Sequence, residues 1–250
     1  AFFLFLEYRL PSCLDQARRI HALPMKKTDE RLIDYLTHEE IQILLDAPDP
    51  TTPAGIRDRA MLHLAFAAGL RVSELIGLRL EDLELHPQPT ILVHGKGRRE
   101  RSLPLWKETT VALRSWLAVR GEGKHCELFL NARGEAMTRS GFEYILAKHV
   151  KTATLKHPSL EKKHISPQVL RHACAMHILQ ATHDVRKVAL WLGHASLQST
   201  EMYLRADPTE KLEALAAGAP PNVRRGHFRP PDKLLALLQS TQKDARYAEQ

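Results

Sequence analysis

A long apolar stretch from Ala54 to Ala68 constrains the fold of this chain more than any other segment. Within it, Ile56, Ala60 and Leu64 recur at helical spacing, which is typical of a buried helix. Gly69 follows directly and is expected to end that helix, because glycine adopts the left-handed conformation of a helix C-cap without steric cost. The sequence therefore predicts a helical core element in the first third of the chain.

Most other segments also carry helix signals. Thr37 with Glu40 three residues later is typical of a capping box. Ser166 followed by Pro167 is typical of a helix start. Further helices are predicted from Ser73 to Leu80, over Val111–Val119 and Thr138–Val150, from Ser166 to about Gln180, from Asp184 to Gly193, from Ser196 through Tyr203, and over Lys233–Gln239.

A small sheet is predicted beside these helices. Thr90–Val93 and Arg101–Leu103 flank a turn of two glycines around Lys96, which is typical of a β-hairpin. Glu127–Leu130 is expected to add a third strand. We therefore expect a mainly α-helical fold with a small antiparallel β-sheet, in the α+β class.

Charge favours a polyanionic partner. The 250 residues include 36 Lys and Arg against 29 Asp and Glu, for a net charge of +7. This excess favours nucleic acid, although an ordinary basic protein has the same balance. Three cysteines without CxxC spacing argue against a disulfide framework and fit a reducing cytoplasm. The apolar run over residues 1–6 is too short for a membrane span or signal peptide, and we expect no membrane partner.

Several basic residues have the chemistry to bind a phosphate. Arg71 lies three residues before Glu74, and Arg171 lies in a predicted helix. A planar guanidinium binds two phosphate oxygens at once, but Arg71 alone equally fits a surface ion pair with Glu74. Lys96 lies in the predicted turn, where it can protonate a leaving oxygen or simply belong to a solvated basic loop.

A tyrosine that follows a histidine by nine residues is the candidate nucleophile. His194 follows the predicted helix stop at Gly193, and Tyr203 comes nine residues later. Taken alone, Tyr203 equally fits a half-buried aromatic residue on an amphipathic helix. His172 points about 100° away from Arg171 on the same helix, so we expect it to pack or hydrogen-bond elsewhere. The histidines His172, His177, His183 and His194 lack a metal-binding spacing, so no metal is expected.

Taken together, these segments resemble the tyrosine recombinase (phage integrase) family, the Xer recombinases among them. The resemblance covers roughly residues 30–215. It rests on five ordered segments: Leu70-Arg71-Val72-Ser73-Glu74-Leu75; Gly95-Lys96-Gly97 before Arg101-Ser102-Leu103-Pro104-Leu105; Ser166-Pro167 before Leu170-Arg171-His172; Leu192-Gly193-His194; and Tyr203.

The resemblance implies a role for each of these residues. Arg71 and Arg171 would bind the scissile phosphate, and His194 would hydrogen-bond it. Lys96 would act as general acid on the 5′-oxygen. Tyr203 would attack the phosphorus to give a 3′-phosphotyrosine that conserves the bond energy for rejoining.

One position departs from the family pattern. The family usually has histidine three residues before the second arginine, and here that residue is Gln168. Glutamine can hydrogen-bond the phosphate or orient Tyr203, but it cannot take a proton at neutral pH. If the usual histidine acts as acid or base, we expect its loss to cost about 10²–10⁴ in rate.

The resemblance also implies a domain organisation. Residues 1–30 are interpreted as the remnant of an N-terminal core-binding domain with its linker, behind a cut N-terminus. Residues 31–215 are the expected catalytic domain. Residues 216–250 are a tail whose short helix packs either onto a neighbouring protomer or onto its own chain.

The expected function is site-specific DNA recombination or mobile-element integration, in the bacterial cytoplasm and associated with the nucleoid. The expected partner is double-stranded DNA. The chain is expected to be monomeric when free and to form a homotetramer on DNA. The expected DNA contacts are Arg98, Arg99, Arg101 and Arg139. Two alternatives stay open: a catalytically impaired DNA-binding remnant, and a type IB topoisomerase that uses the same chemistry without site specificity.

Overall fold

The computed structural model describes residues 2–24, 35–95, 100–121 and 125–207. Lys96, Arg98, Arg99 and the predicted helix Lys233–Gln239 lie outside these residues. Within them the helices are α1 (Phe2–Arg9), α2 (Leu14–His21), α3 (His38–Leu45), α4 (Pro53–Ala67), α5 (Val72–Gly77), α6 (Lys107–Arg120), α7 (Arg139–Lys156), α8 (Pro167–Thr182), α9 (Val185–Leu192) and α10 (Gln198–Ala206). The strands are β1 (Leu83–Glu84), β2 (Thr90–His94) and β3 (Glu100–Pro104).

The predicted core helix is confirmed as α4. Thr52 caps it by accepting a hydrogen bond from the Gly55 N–H at 3.1 Å, and Pro53 occupies the first turn. The helix packs against α6 on one side and α8 on another, so it is covered over most of its surface. Apolar burial on this scale is the main force that holds α4 at the centre of the fold.

Gly69 ends this segment with a left-handed backbone, at φ +55°. A Cβ at this position would lie 2.6 Å from the Leu192 Cδ2 atom and 3.1 Å from the Cys174 Sγ atom. Only glycine therefore satisfies both the backbone conformation and the close approach of α8 and α9. The two later helices are thereby brought against the end of α4.

The antiparallel sheet is confirmed, with strand order β1-β2-β3. Ile91 of β2 pairs with Leu103 of β3 and with Leu83 of β1. The expectation of a third strand over Glu127–Leu130 is wrong, because the third strand of this sheet is β1.

Residues 127–130 make only isolated bridges, in which Arg79 pairs with Glu127 and Leu130 with Ala136. Side chains of α6 occupy carbonyl groups that a strand would use: the Trp116 indole N–H donates to the Leu128 carbonyl at 2.9 Å. A sheet ladder cannot form where these acceptors are already taken.

Helix starts match the sequence expectations unevenly. The capping box of Thr37 and Glu40 is confirmed at α3, with both reciprocal hydrogen bonds present. Asp184 caps α9 by accepting from the Arg186 N–H at 2.8 Å. Ser196 does not cap α10, which begins at Gln198.

Part of the segment interpreted as a linker is helical. Residues 14–21 form α2, which packs against α1. Several apolar side chains of α1, such as those of Phe2 and Phe5, are exposed. No helix among the described residues is long and apolar enough to cross a membrane.

Candidate active site

Three arginines surround one buried carboxylate. Glu74, on the first turn of α5, accepts hydrogen bonds from the Arg71 N–H at 3.0 Å and the Arg71 Nη1 at 2.8 Å. Arg101 of β3 donates through Nη2 to the second oxygen of Glu74 at 2.8 Å. Arg171 Nη1 lies 3.9 Å from the same oxygen. One negative charge thus gathers three positive ones, which leaves the cluster net cationic.

Glu74 is ionised despite its burial. Burial alone would raise its pKa, but the hydrogen bonds from Arg101 and from the Arg71 backbone hold that pKa below the ordinary value. Its side chain is 4% exposed. The carboxylate therefore acts as a fixed charge that orients the arginines.

Arg101, which was expected to contact DNA, is largely buried and paired with Glu74. Its side chain is 11% exposed. Besides the pair with Glu74, its Nε donates to the Trp191 carbonyl at 3.1 Å, which ties β3 to α9. As placed, Arg101 holds the site together instead of projecting into solvent. Arg139 is exposed on α7 and pairs with Glu143 at 2.9 Å.

Arg171 joins the ends of two helices. Its Nη1 donates to the Gly69 carbonyl beyond α4, and its Nη2 donates to the Leu192 carbonyl at the end of α9, 2.7 Å away. Burial and the neighbouring Arg71 lower the pKa of Arg171 to about 10, so the guanidinium is still charged at neutral pH. A guanidinium has five N–H donors, so the remainder can serve a phosphate.

His194 follows α9 immediately after a second left-handed glycine, Gly193 at φ +63°. Its Nδ1 lies 2.8 Å from the Thr200 Oγ1, and its ring stacks on that of Tyr203 with centroids 6.4 Å apart. Burial and the nearby arginines, Arg171 first, lower the pKa of His194 to about 4. The ring is therefore neutral at pH 7. In the tautomer whose Nδ1 accepts from the Thr200 hydroxyl, Nε2 carries the proton and can donate a hydrogen bond.

Tyr203 of α10 is 1% exposed. Burial raises its pKa to about 12, so the phenol is protonated at neutral pH. Its Oη lies 3.0 Å from the Nδ1 of His172.

His172 makes a hydrogen bond, as expected, and its partner is the candidate nucleophile. His172 does occupy another face of α8 than Arg171, but α10 packs against α8 and brings Tyr203 to that face. Helix geometry predicts the angle between the two side chains, whereas no local pattern predicts the position of the partner helix.

Gln168 lies on the first turn of α8, one turn before Arg171, and is exposed. Lys96 lies outside the described residues, and Gly95, its immediate neighbour, borders the candidate site. The Arg71 side chain is 42% exposed and is therefore accessible from solvent.

A groove of about 730 Å³ runs along this cationic cluster. Its lining residues are Arg71, Gly95, Glu100, Arg101, Arg186, Ala189, Leu190, Gly193, His194 and Ala195. A groove with three arginines and a neutral histidine donor can bind an anionic phosphate group. Among the residues that the structure describes, no cluster of metal-ligating side chains occurs.

Sequence reasoning missed several of these contacts. Arg186 lines the groove from the first turn of α9, and Thr200 orients His194. The pairing of Arg101 with Glu74 joins residues 27 positions apart. Of these residues, only Thr200 could have been found from the sequence. It lies three residues before Tyr203, and this helical spacing places the two side chains on the same face of α10.

This fold and site define the catalytic domain of a tyrosine recombinase. Residues 34–210 match the sequence model of the phage integrase family, and the chain belongs to that family.

Known relatives agree with this assignment. Protein y4rC of Sinorhizobium fredii, named as an integrase/recombinase, is 42% identical over 240 residues, which are 96% of this chain and 72% of y4rC. Tyrosine recombinase XerD of Ralstonia nicotianae is 34% identical over 218 residues, or 85% of this chain and 68% of XerD.

A solved structure agrees as well. The XerH site-specific recombinase, bound to its palindromic difH substrate in a post-cleavage complex, superimposes with a TM-score of 0.65 at 27% identity. The superposition covers 74% of this chain and 53% of that XerH chain. The chain thus spans about half of that solved recombinase.

Proposed function

We propose that this chain is a site-specific DNA recombinase or integrase that cleaves and rejoins DNA strands through Tyr203. The observation that carries the proposal is that Arg71 and His194 line one groove, with the ring of His194 stacked on Tyr203. Arg171 lies buried beside them, 3.9 Å from the carboxylate that binds Arg71. The relatives are integrases and recombinases by name, which supports recombination over the impaired remnant and over relaxation of supercoils.

The proposed reaction begins with phosphate binding. Arg71 and Arg171 neutralise the two non-bridging oxygens, and His194 donates a hydrogen bond from Nε2. Preorganised donors of this kind usually supply the largest share of transition-state stabilisation. Their geometry is fixed before DNA arrives, because Glu74 and the carbonyls of Gly69 and Leu192 already hold the guanidinium groups.

Tyr203 then attacks the phosphorus in line with the leaving 5′-oxygen. The new phosphorus–oxygen bond gives a 3′-phosphotyrosine, and the 5′-oxygen takes a proton from Lys96. Attack by the 5′-hydroxyl of a partner strand reverses these steps and rejoins the DNA. Gln168 hydrogen-bonds the phosphate or orients Tyr203 in this scheme and transfers no proton.

The substrate is double-stranded DNA. The XerH neighbour is a recombinase bound to its DNA substrate, which supports this partner. Arg98, Arg99 and Arg139 are the proposed contacts to the DNA backbone, whereas the role proposed for Arg101 is to hold Glu74. We further propose that the chain, monomeric when free, assembles as a tetramer on paired sites, and that it acts on DNA in the bacterial cytoplasm, at the nucleoid.

The test is a covalent-trapping assay. The preferred duplex is first selected by the chain from a random pool, and a nick is then placed so that the cleaved end diffuses away. The wild-type chain is expected to form a detergent-resistant protein–DNA adduct, and Tyr203→Phe is expected to form none. Binding without any wild-type adduct would contradict the proposal. Relaxation of supercoiled DNA without that site would favour a topoisomerase instead.

A further inference from the structure

The candidate nucleophile is a phenol that has to lose its proton. Tyr203 is almost fully buried, and its burial keeps the hydroxyl protonated at neutral pH. Gln168, which stands where the family usually has histidine, cannot accept that proton. His194 is not placed to accept it either, because its Nδ1 is engaged with Thr200 and its ring stacks on the face of the tyrosine.

His172 is at the hydroxyl itself. Its Nδ1 lies 3.0 Å from the Tyr203 Oη, within the range of a hydrogen bond between a phenol and an imidazole. The two rings meet edge to face, with centroids 5.6 Å apart and planes inclined by 60°. The contact joins α8 to α10, so it is formed by tertiary packing and not by neighbours in sequence.

We propose that His172 is the general base that accepts the Tyr203 proton, and so supplies from another face of α8 the proton transfer that Gln168 cannot. This inference rests on the proposed function, since it concerns the same cleavage reaction. It adds to that function a residue in direct contact with the attacking oxygen.

The surroundings of His172 keep it ready to accept a proton. Burial, followed by the adjacent Arg171 of its own helix, lowers the pKa of His172 below the ordinary 6.5. Tyr203 faces it from α10, and His194 after α9 is the other titratable ring within electrostatic range. At neutral pH the imidazole is uncharged, and in the tautomer that carries its proton on Nε2 the Nδ1 accepts from the phenol.

The step balances in atoms and charge. The O–H bond of Tyr203 breaks as its proton passes to the His172 Nδ1, and the phenolate oxygen forms a bond to phosphorus. The bond from phosphorus to the 5′-oxygen breaks with its electron pair left on that oxygen, which takes a proton from Lys96. The bound phosphate offsets the imidazolium charge next to Arg171, and His172 returns its proton to Tyr203 on rejoining.

The hydrogen bond between His172 and Tyr203 has an alternative role, which is to hold Tyr203 in its buried position. Because Tyr203 is 1% exposed, it has to become accessible before it can reach a phosphodiester. If the hydrogen bond to His172 served only to hold Tyr203 in its buried position, its removal would speed cleavage. The two roles thus predict opposite changes in rate.

The experiment compares His172→Gln with the matched control His177→Gln in the full chain. His177 is half-buried on the same helix, but it packs against Phe66 and His38 instead of Tyr203. The first-order rate of adduct formation is measured on the selected, nicked duplex at saturating protein. We expect His172→Gln to lower this rate by about 10²-fold or more, and His177→Gln to leave it within a few-fold of wild type.

The pH profile separates proton transfer from a loss of structure. The wild-type rate is expected to fall on acidification as His172 becomes protonated and to level off above its pKa, which lies below 6.5. In His172→Gln, the rate is expected to keep rising into alkaline pH, because solvent must then take the proton. A profile parallel to wild type would overturn the inference.

The outcomes distinguish the two proposals. If the wild-type chain forms the adduct and His172→Gln forms it equally fast or faster, the inference fails and the proposed function stands. If the wild-type chain binds DNA and forms no adduct, the proposed function itself fails.

A spectroscopic measurement tests the contact without DNA. In the chain labelled with ¹⁵N-histidine, we expect the His172 Nδ1 to show the shift of an unprotonated, hydrogen-bonded nitrogen that changes in Tyr203→Phe. The signal is assigned by its loss in His172→Gln. A protonated Nδ1 in the free chain would overturn the inference, since that nitrogen could not accept the phenol proton.

Discussion

At the scale of single residues, Glu74 decides the geometry of the site. Its carboxylate holds Arg71 and Arg101 at 2.8 Å each, and its fixed charge compensates part of the positive cluster. Without it, buried guanidinium groups would face one another with no anion between them. Sequence reasoning placed Glu74 beside Arg71 through their spacing. It could not foresee Arg101, because that contact depends on how β3 packs against α5 and α9.

We predict that Glu74→Gln destabilises the chain by on the order of 3 kcal/mol, because it leaves buried arginine charge without its partner. The folded-state pKa of Glu74 lies below the ordinary 4.5, so its stabilisation is complete above that pH and is lost as pH falls through the lower value. Urea unfolding as a function of pH measures both effects. The variant should therefore show a shallower loss of stability in acid than the wild type.

Glu143→Gln is the matched control, since Glu143 pairs with Arg139 on the exposed surface of α7. An exposed pair contributes about 0–1 kcal/mol. Equal destabilisation by the two substitutions would contradict the role given to Glu74.

At the scale of elements, the site is built where helices end. Gly69 follows α4 and Gly193 follows α9, both with left-handed backbones, and Arg171 binds carbonyls at both ends. The helix stops at these glycines were readable from the sequence, as was the core helix itself. The docking of one helix end on the other was not, because no local pattern encodes it.

We predict that Gly69→Ala costs about 3 kcal/mol, from backbone strain together with overpacking against Leu192 and Cys174. Gly134→Ala is the control, because Gly134 is also left-handed, at φ +79°, but a Cβ there meets nothing within 4 Å. It should cost about 1 kcal/mol, from strain alone. Thermal or urea unfolding gives both values, and similar costs at the two positions would refute the close-packing argument.

At the scale of the whole molecule, the chain combines a preformed cationic groove with a net positive charge. The fold class, the core helix and the hairpin were predictable, because local periodicity and turn residues indicate each of them. The position expected for the third strand was wrong, because side chains of α6 occupy the carbonyls of residues 127–128. Arg101 shows the same limit at the site: it was expected to contact DNA, and long-range packing pairs it with Glu74 and the Trp191 carbonyl.

Arg139 is exposed and Arg101 is largely buried, and this difference in exposure predicts different roles for the two arginines in DNA binding. Arg139→Gln should reduce the slope of log affinity against log salt by about 0.9, as expected for one lost phosphate contact, with little change in the cleavage rate of bound DNA. Arg101→Lys keeps the charge but cannot span Glu74 and the Trp191 carbonyl, so it should lower cleavage while leaving the slope unchanged. Salt titrations and single-turnover rates on the selected duplex test both, and the reverse assignment of effects would contradict the account.

Covalent attachment of DNA to the Tyr203 oxygen is the step on which the proposed function depends. The most direct measurement is mass spectrometry of the trapped adduct after digestion with protease and nuclease. We expect a nucleotide joined through a 3′-phosphate to the peptide that contains Tyr203. A nucleotide on any other residue, or an adduct that persists in Tyr203→Phe, would contradict it.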